Sequence, residues 1–198
     1  NPYQSAREEF VNGERKMILL DANENPFTTS VNRYPDPMQM ELKIEISKWR
    51  KVGLEQIYLS NGSDEFISQI VMVCCEPGMD HIVIVPPTFG MYKVAAATFG
   101  AGVKEIPLTS EFQLDVPSIL AAVDEGSKLL FIPNPNNPTG NCFSEKAIQK
   151  LIEQFKGIVV LDEAYHDFAG KSFLKQMAKH NNLVVLRSLS KIGLAGLR

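Results

Sequence analysis

Four short runs of branched and apolar residues constrain this chain most. They are His81-Ile82-Val83-Ile84-Val85, Lys128-Leu129-Leu130-Phe131-Ile132, Gly157-Ile158-Val159-Val160-Leu161 and Leu183-Val184-Val185-Leu186-Arg187. Each is strand-length and lacks polar alternation, so each predicts a strand buried on both faces. Residues 103–106 are a weaker fifth candidate. Helical segments are expected near 64–75, 89–98, 116–124, 144–155 and 172–180, with Ser144 placed to start one of them. Strands alternating with helices predict an α/β fold: three layers, α/β/α, around a mainly parallel central sheet. In such sheets ligands bind beyond the carboxyl ends of the strands. The polar residues that follow each apolar run therefore carry the functional information.

Residues 1–37 read differently. Turn formers and prolines (Asn23-Glu24-Asn25-Pro26-Phe27, Tyr34-Pro35-Asp36-Pro37) predict an extended N-terminal arm, followed by one large domain over 38–198. Residues 38–52 follow a helical period, with Met38, Leu42, Ile46 and Trp49 on one face. At 198 residues and 44% hydrophobic, the chain can bury a sizeable core. A net charge of −3 without a basic run argues against nucleic acid as a partner. No apolar run approaches the roughly 20 residues that span a bilayer, so no membrane partner is expected. Cys74, Cys75 and Cys142 show neither a disulfide framework nor a metal-ligand spacing. Reduced thiols, no metal and a cytoplasmic location are the expectations. The start without Met and the stop at Arg198 suggest an incomplete domain.

Four segments follow strands or open helices. Asp162 ends an apolar run and reads as a helix cap, a surface turn or the counter-ion of a buried cation. In Pro133-Asn134-Pro135-Asn136-Asn137-Pro138-Thr139-Gly140, prolines stiffen a loop that is a connector or presents Asn137 to a ligand. In Arg187-Ser188-Leu189-Ser190-Lys191, followed by Gly193, Gly196 and Arg198, the lysine is solvated or a nucleophilic amine. The hydroxyls of Ser188 and Ser190 and the Arg198 guanidinium suit a phosphate. Asn61-Gly62-Ser63-Asp64 opens a helix, where Ser63 as N-cap and an anion site at the backbone N–H groups are compatible readings.

In order and spacing, Asn137-Pro138-Thr139-Gly140, Asp162-Glu163-Ala164-Tyr165 and Ser188-Leu189-Ser190-Lys191 resemble the fold-type I pyridoxal-phosphate (PLP) aminotransferases. Asp21-Ala22-Asn23-Glu24-Asn25-Pro26, Asn32-Arg33-Tyr34-Pro35-Asp36-Pro37, Glu76-Pro77-Gly78-Met79-Asp80 and Pro86-Pro87-Thr88-Phe89-Gly90-Met91-Tyr92 narrow this to a resemblance with the class-II-type histidinol-phosphate aminotransferases. The resemblance implies the cofactor pyridoxal 5'-phosphate, carried by Lys191 as a Schiff base. It implies Asp162 at the pyridinium nitrogen, and Tyr165 and Asn137 at the phenolate oxygen. Phe89 would stack on the ring, with Tyr92 a weaker choice. Backbone N–H groups of Ser63 and Asp64, the hydroxyls of Ser188 and Ser190, and Arg198 would hold the phosphate. Tyr34 would reach the partner subunit's cofactor in a homodimer, and Asn23 would face the substrate.

The implied reaction transfers the amino group of L-histidinol phosphate to 2-oxoglutarate in histidine biosynthesis. The spacing from Lys191 to Arg198 is one residue shorter than is commoner in the family. The family's arginine for the substrate α-carboxylate lies in a small C-terminal domain and has no counterpart here. Rivals are an aromatic amino-acid aminotransferase or threonine-phosphate decarboxylase with the same site, a non-catalytic PLP-fold binding module, and a nucleotide-binding α/β protein. The last lacks its Gly-rich fingerprint here.

Overall fold

The computed structural model describes Ile18 and residues 20–196. These residues form two compact units that divide between Leu59 and Ser60.

In the first unit, residues 20–39 are loop and turn. The Glu24 carboxylate gathers them, accepting from Arg33 Nη1 at 2.7 Å and from the Tyr34 N–H at 2.6 Å. Helix α1 spans Met40–Arg50. The Asp36 carboxylate marks its start, accepting from the N–H groups of Met38 and Met40, each at 2.8 Å. Lys51, at φ 57°, ends it in the left-handed region. The expected apolar stripe is a pattern without a core beneath it. The helix buries none of its residues, and Leu42 and Trp49 are 52% and 55% exposed. Trp49 instead carries the Arg50 guanidinium, 3.6 Å from the ring centroid.

The second unit is a five-stranded parallel sheet in the order β2-β1-β3-β4-β5. The strands are β1 (His81–Ile84), β2 (Gly102–Glu105), β3 (Ser127–Pro133), β4 (Ile158–Asp162) and β5 (Leu183–Leu186). The helices are α2 (Ser63–Cys74), α3 (Met91–Thr98), α4 (Val116–Ala122), α5 (Glu145–Gln154) and α6 (His166–Ala169). Alternate residues of the central strands supply two cores. Val83, Leu130, Ile132, Val159 and Leu161 pack on Ile119 of α4 and on Ile148, Leu151 and Ile152 of α5. Ile82, Ile84, Leu129, Phe131 and Val160 pack on Ile67 and Val71 of α2 and on Tyr92, Ala95 and Ala96 of α3. The three expected layers and the parallel sheet are therefore present, and the four apolar runs are strands because both their faces are covered.

Two local expectations change. The segment 172–180 is a 3₁₀ stretch, Leu174–Lys179, rather than an α-helix. Its entry is pinned by side chains: the Phe173 N–H donates to Glu163 Oε1 at 2.7 Å and the Leu174 N–H to Ser172 Oγ at 3.0 Å. These bonds cap the first N–H groups of the stretch, which have no helical acceptor of their own. The short helix α6, closed by Gly170 at φ 69°, was not foreseen. Among the described residues no helix is long and apolar enough to cross a membrane.

Candidate functional site

Parallel strands share one carboxyl edge. There the loops after β3, β4 and β5 meet the N-terminus of α2 around a cleft, the usual place for a ligand on a parallel sheet.

Asp162, the last residue of β4, lines this cleft and is 6% exposed. Its Oδ1 accepts from the Ala164 N–H at 2.9 Å and its Oδ2 from the Tyr92 hydroxyl at 2.7 Å. Both donors are neutral. Burial pushes the carboxyl above the ordinary aspartate range, the two hydrogen bonds and the Lys191 charge pull it back, and Asp64 adds to the upward push. The group is thus a buried acceptor whose local partners leave its charge uncompensated.

Lys191 lies in the 3₁₀ turn Ser190–Ile192 that follows β5, with Nζ 5.4 Å from the centroid of the Tyr165 ring. The turn is shaped locally: the Ser190 N–H donates to Ser188 Oγ at 3.2 Å. Ser188, Ser190, Lys191 and Tyr165 all line the cleft.

Asn137 reaches the cleft because its neighbours hold the loop. Asn134 Oδ1 accepts from the Phe143 N–H at 2.9 Å, and Asn136 Nδ2 donates to the Pro87 carbonyl at 3.0 Å. Gly140, at φ 73°, turns the chain back, donating its N–H to the Asn136 carbonyl at 2.8 Å. Two of the three asparagines therefore serve the loop, and the third is left for a ligand.

Ser63 is the first residue of α2 rather than its cap. Gly62, at φ 81°, precedes it, and the Glu65 carboxylate accepts from the Asn61 N–H. The N–H groups of Ser63 and Asp64 have no intrahelical acceptor and lie at the cleft, where the helix dipole favours an anion. Phe89 also lines the cleft. Tyr92 does not share that role: it is fully buried, stacked on Phe131 at 4.5 Å and 17°. Asn23 and Tyr34 belong to the first unit, and Tyr34 is exposed. Arg198 lies outside the described residues.

Sequence reasoning missed a second buried carboxylate. Glu163 is 1% exposed and accepts from Arg187 Nε and Nη2, each at 2.8 Å, and from Ser172 Oγ at 2.9 Å. Arg187 immediately precedes Ser188, so this pair ties the lysine-bearing loop to the end of β4. A Glu one residue beyond the end of one apolar run and an Arg closing the next were the available signal.

The sequence pattern described as aminotransferase class I and II matches residues 15–198. The chain belongs to that family. This aminotransferase-family chain is 50% identical over 200 residues to the histidinol-phosphate aminotransferase of Flavobacterium johnsoniae, covering 100% of this chain and 57% of that protein. With the protein of the same name from Bacteroides fragilis it shares 46% identity over 199 residues, again 100% of this chain and 57% of the relative. The chain thus spans a little over half the length of these curated relatives. The crystal structure of histidinol-phosphate aminotransferase from Sinorhizobium meliloti in complex with pyridoxal-5'-phosphate superposes with a TM-score of 0.74 at 24% identity, over 84% of this chain and 47% of that one. The aminotransferase fold is shared.

Proposed function

We propose that this chain is the cofactor-binding part of a PLP-dependent aminotransferase that passes the amino group of L-histidinol phosphate to 2-oxoglutarate, yielding imidazole-acetol phosphate and glutamate. The observation that carries the reading is Asp162: a buried carboxylate with only neutral donors, in the same cleft as Lys191 and a helix N-terminus. A cleft with an anion acceptor at its floor, an amine at its wall and an anion site at its rim fits a ligand carrying a protonated ring nitrogen, an aldehyde and a phosphate. The relatives named histidinol-phosphate aminotransferase, up to 50% identical here, support the choice of substrate.

Bound PLP supplies an electron-withdrawing ring that takes up the electron pair left at the substrate Cα. The protein does the rest. Lys191 would be the amine that holds the cofactor, and its free Nζ would take the Cα proton. Asp162 accepts from the protonated ring nitrogen. Tyr165 and Asn137 donate to the phenolate oxygen, and Phe89 covers the ring face. The phosphate is held by the Ser63 and Asp64 N–H groups, the Ser188 and Ser190 hydroxyls and Arg198. Asn23 faces the substrate. The protein works as a homodimer in the cytoplasm, Tyr34 reaching the phosphate in the neighbouring subunit.

Two measurements on the full-length protein test this. It should show the visible absorption band of bound PLP, bleached by an amino donor, and Lys191→Ala should lower turnover by about 10³-fold or more. A protein without the band, or one indifferent to Lys191→Ala, refutes the cofactor reading. Histidinol phosphate should exceed phenylalanine and threonine phosphate in kcat/KM by about 10²-fold, since unpaired buried polar groups penalise the wrong substrate. A preference for either competitor overturns the substrate reading alone.

A further inference from the structure

Tyr92 is the one tyrosine in the second unit's core. Its ring is fully buried, flat on Phe131 of β3, and edge-on to Phe89 at 5.7 Å and 88°. Everything that packing asks of this residue a phenylalanine would supply. The hydroxyl is the atom that needs an explanation, because a buried phenol must find a partner. Its partner is Asp162 Oδ2, at 2.7 Å.

We propose that Tyr92 is a positioning residue for the cofactor, its hydroxyl holding the Asp162 carboxylate as an ionised acceptor turned toward the cleft. The inference rests on the PLP reading above. Its logic is donor counting. Ala164 N–H occupies Oδ1 and Tyr92 O–H occupies Oδ2, so the remaining lone pairs are those available to a ligand. A proton placed on Oδ2 along the Tyr92 direction would set donor against donor. The phenol would then have to turn, and the rings of Phe131 and Phe89 beside it offer no acceptor of comparable strength. Tyr92 itself stays a donor: burial, then the charge of Asp162, push the phenol well above its ordinary range. Two other charges act on Asp162. Lys191 favours the ionised form and Asp64 opposes it. The hydroxyl offsets the burial that favours a neutral acid, and it does so before any cationic ring arrives.

The chemical consequence is where one proton resides. With Tyr92 present, the pair formed at the cleft floor is a protonated ring nitrogen and an ionised Asp162. Without the hydroxyl, Asp162 becomes more basic and the proton moves toward the carboxylate. The ring then loses part of its electron-withdrawing power.

The test uses full-length holoenzyme reconstituted with PLP labelled with nitrogen-15 in the ring. In the wild type, the nitrogen-15 shift should report a protonated nitrogen, and Asp162→Asn should abolish that. Tyr92→Phe should bind PLP about tenfold more weakly, matching the loss of one hydrogen bond to a charged group. It should also move the nitrogen-15 shift toward the neutral value. If Tyr92→Phe does not fold, 3-fluorotyrosine placed at position 92 alone reads the same link with the opposite sign. Its stronger donor makes Asp162 less basic, so it should lower the pH at which the pair of ring nitrogen and carboxylate releases its proton. A Tyr92→Phe holoenzyme with unchanged affinity and unchanged shift overturns the inference while leaving the PLP reading intact. So does a fluorotyrosine variant with an unchanged pH midpoint. A wild type that does not bind PLP overturns both.

Discussion

Asp162 and Lys191 show how little a residue says alone. A carboxylate after a strand and a lysine in a loop are ordinary surface features. Burial and two neutral donors make Asp162 something else. Its folded pKa lies above the ordinary aspartate value of 3.8, with burial the leading cause. The stability it contributes is therefore full below that value and is lost as the pH rises through the folded pKa. At neutral pH, without a cationic ligand, the charge costs stability. Asp162→Asn should accordingly raise the melting temperature of the cofactor-free protein at pH 7 by a few degrees, while weakening PLP binding about 10²-fold or more. Differential scanning calorimetry and a spectral titration of the same variant check both halves. A cofactor-free variant that melts lower than wild type contradicts the cost assigned to this charge.

At the scale of elements, the loop after β5 is tied down by the loop after β4. Glu163 accepts from Arg187, Ser172 and the Phe173 backbone, and so joins the lysine-bearing segment to the strand end that carries Asp162. Breaking one partner of a buried pair leaves the other charge unpaired. Arg187→Met should therefore destabilise the protein by about 3–5 kcal/mol in denaturant melts. Glu163→Gln with Arg187→Met should cost clearly less than the sum of the single changes, because the pair is one unit. Additive losses would show that the two side chains act independently. Next to this tether, residues 172–180 depart from the helical expectation, with Leu174–Lys179 a 3₁₀ stretch. The periodicity of Phe173, Leu174 and Met177 is real, and Glu163 and Ser172 accept from the backbone donors at its start.

Across the second unit, function and stability occupy opposite ends of the sheet. The cleft opens at the carboxyl edge. At the amino edge of β1 and β3, His81 Nε2 lies 2.6 Å from Ser127 Oγ and 3.0 Å from Asp124 Oδ1, while Lys104 Nζ reaches Asp124 Oδ2 at 2.6 Å. Burial and then the Lys104 charge hold the imidazole below the ordinary histidine value of 6.5, against the pull of Asp124 and Asp80. A base with a lowered folded pKa contributes stability that is present above 6.5 and lost as the pH falls through the folded value. The melting temperature should thus fall between pH 7.5 and pH 5, and His81→Gln should flatten part of that slope. A slope unchanged by the substitution removes His81 as its source. Bound cofactor acts on the same equilibrium: at about 100 times its Kd, PLP should stabilise the protein by about 2.7 kcal/mol.

The strands were legible because burial on both faces writes a continuous apolar run, and the parallel sheet followed from the helices between them. The positions that bear the chemistry were legible too, since a polar residue directly after such a run must lie at the carboxyl edge. Asn137, Asp162, Tyr165, Ser188, Ser190 and Lys191 all line one cleft there. Partners across space were not legible. Tyr92 and Asp162 stand far apart in the chain and meet because α3 packs over β3 and β4. Glu163 finds Arg187 because β4 and β5 are neighbours in register. The stripe of α1 carries the converse lesson, an apolar period with no core beneath it in its unit. Sequence by itself determined which residues stand at the sheet's functional edge, because strand periodicity is local. Which of them pair, and which charge is left for a ligand, only the tertiary structure decided, because hydrogen bonds and burial are settled between elements.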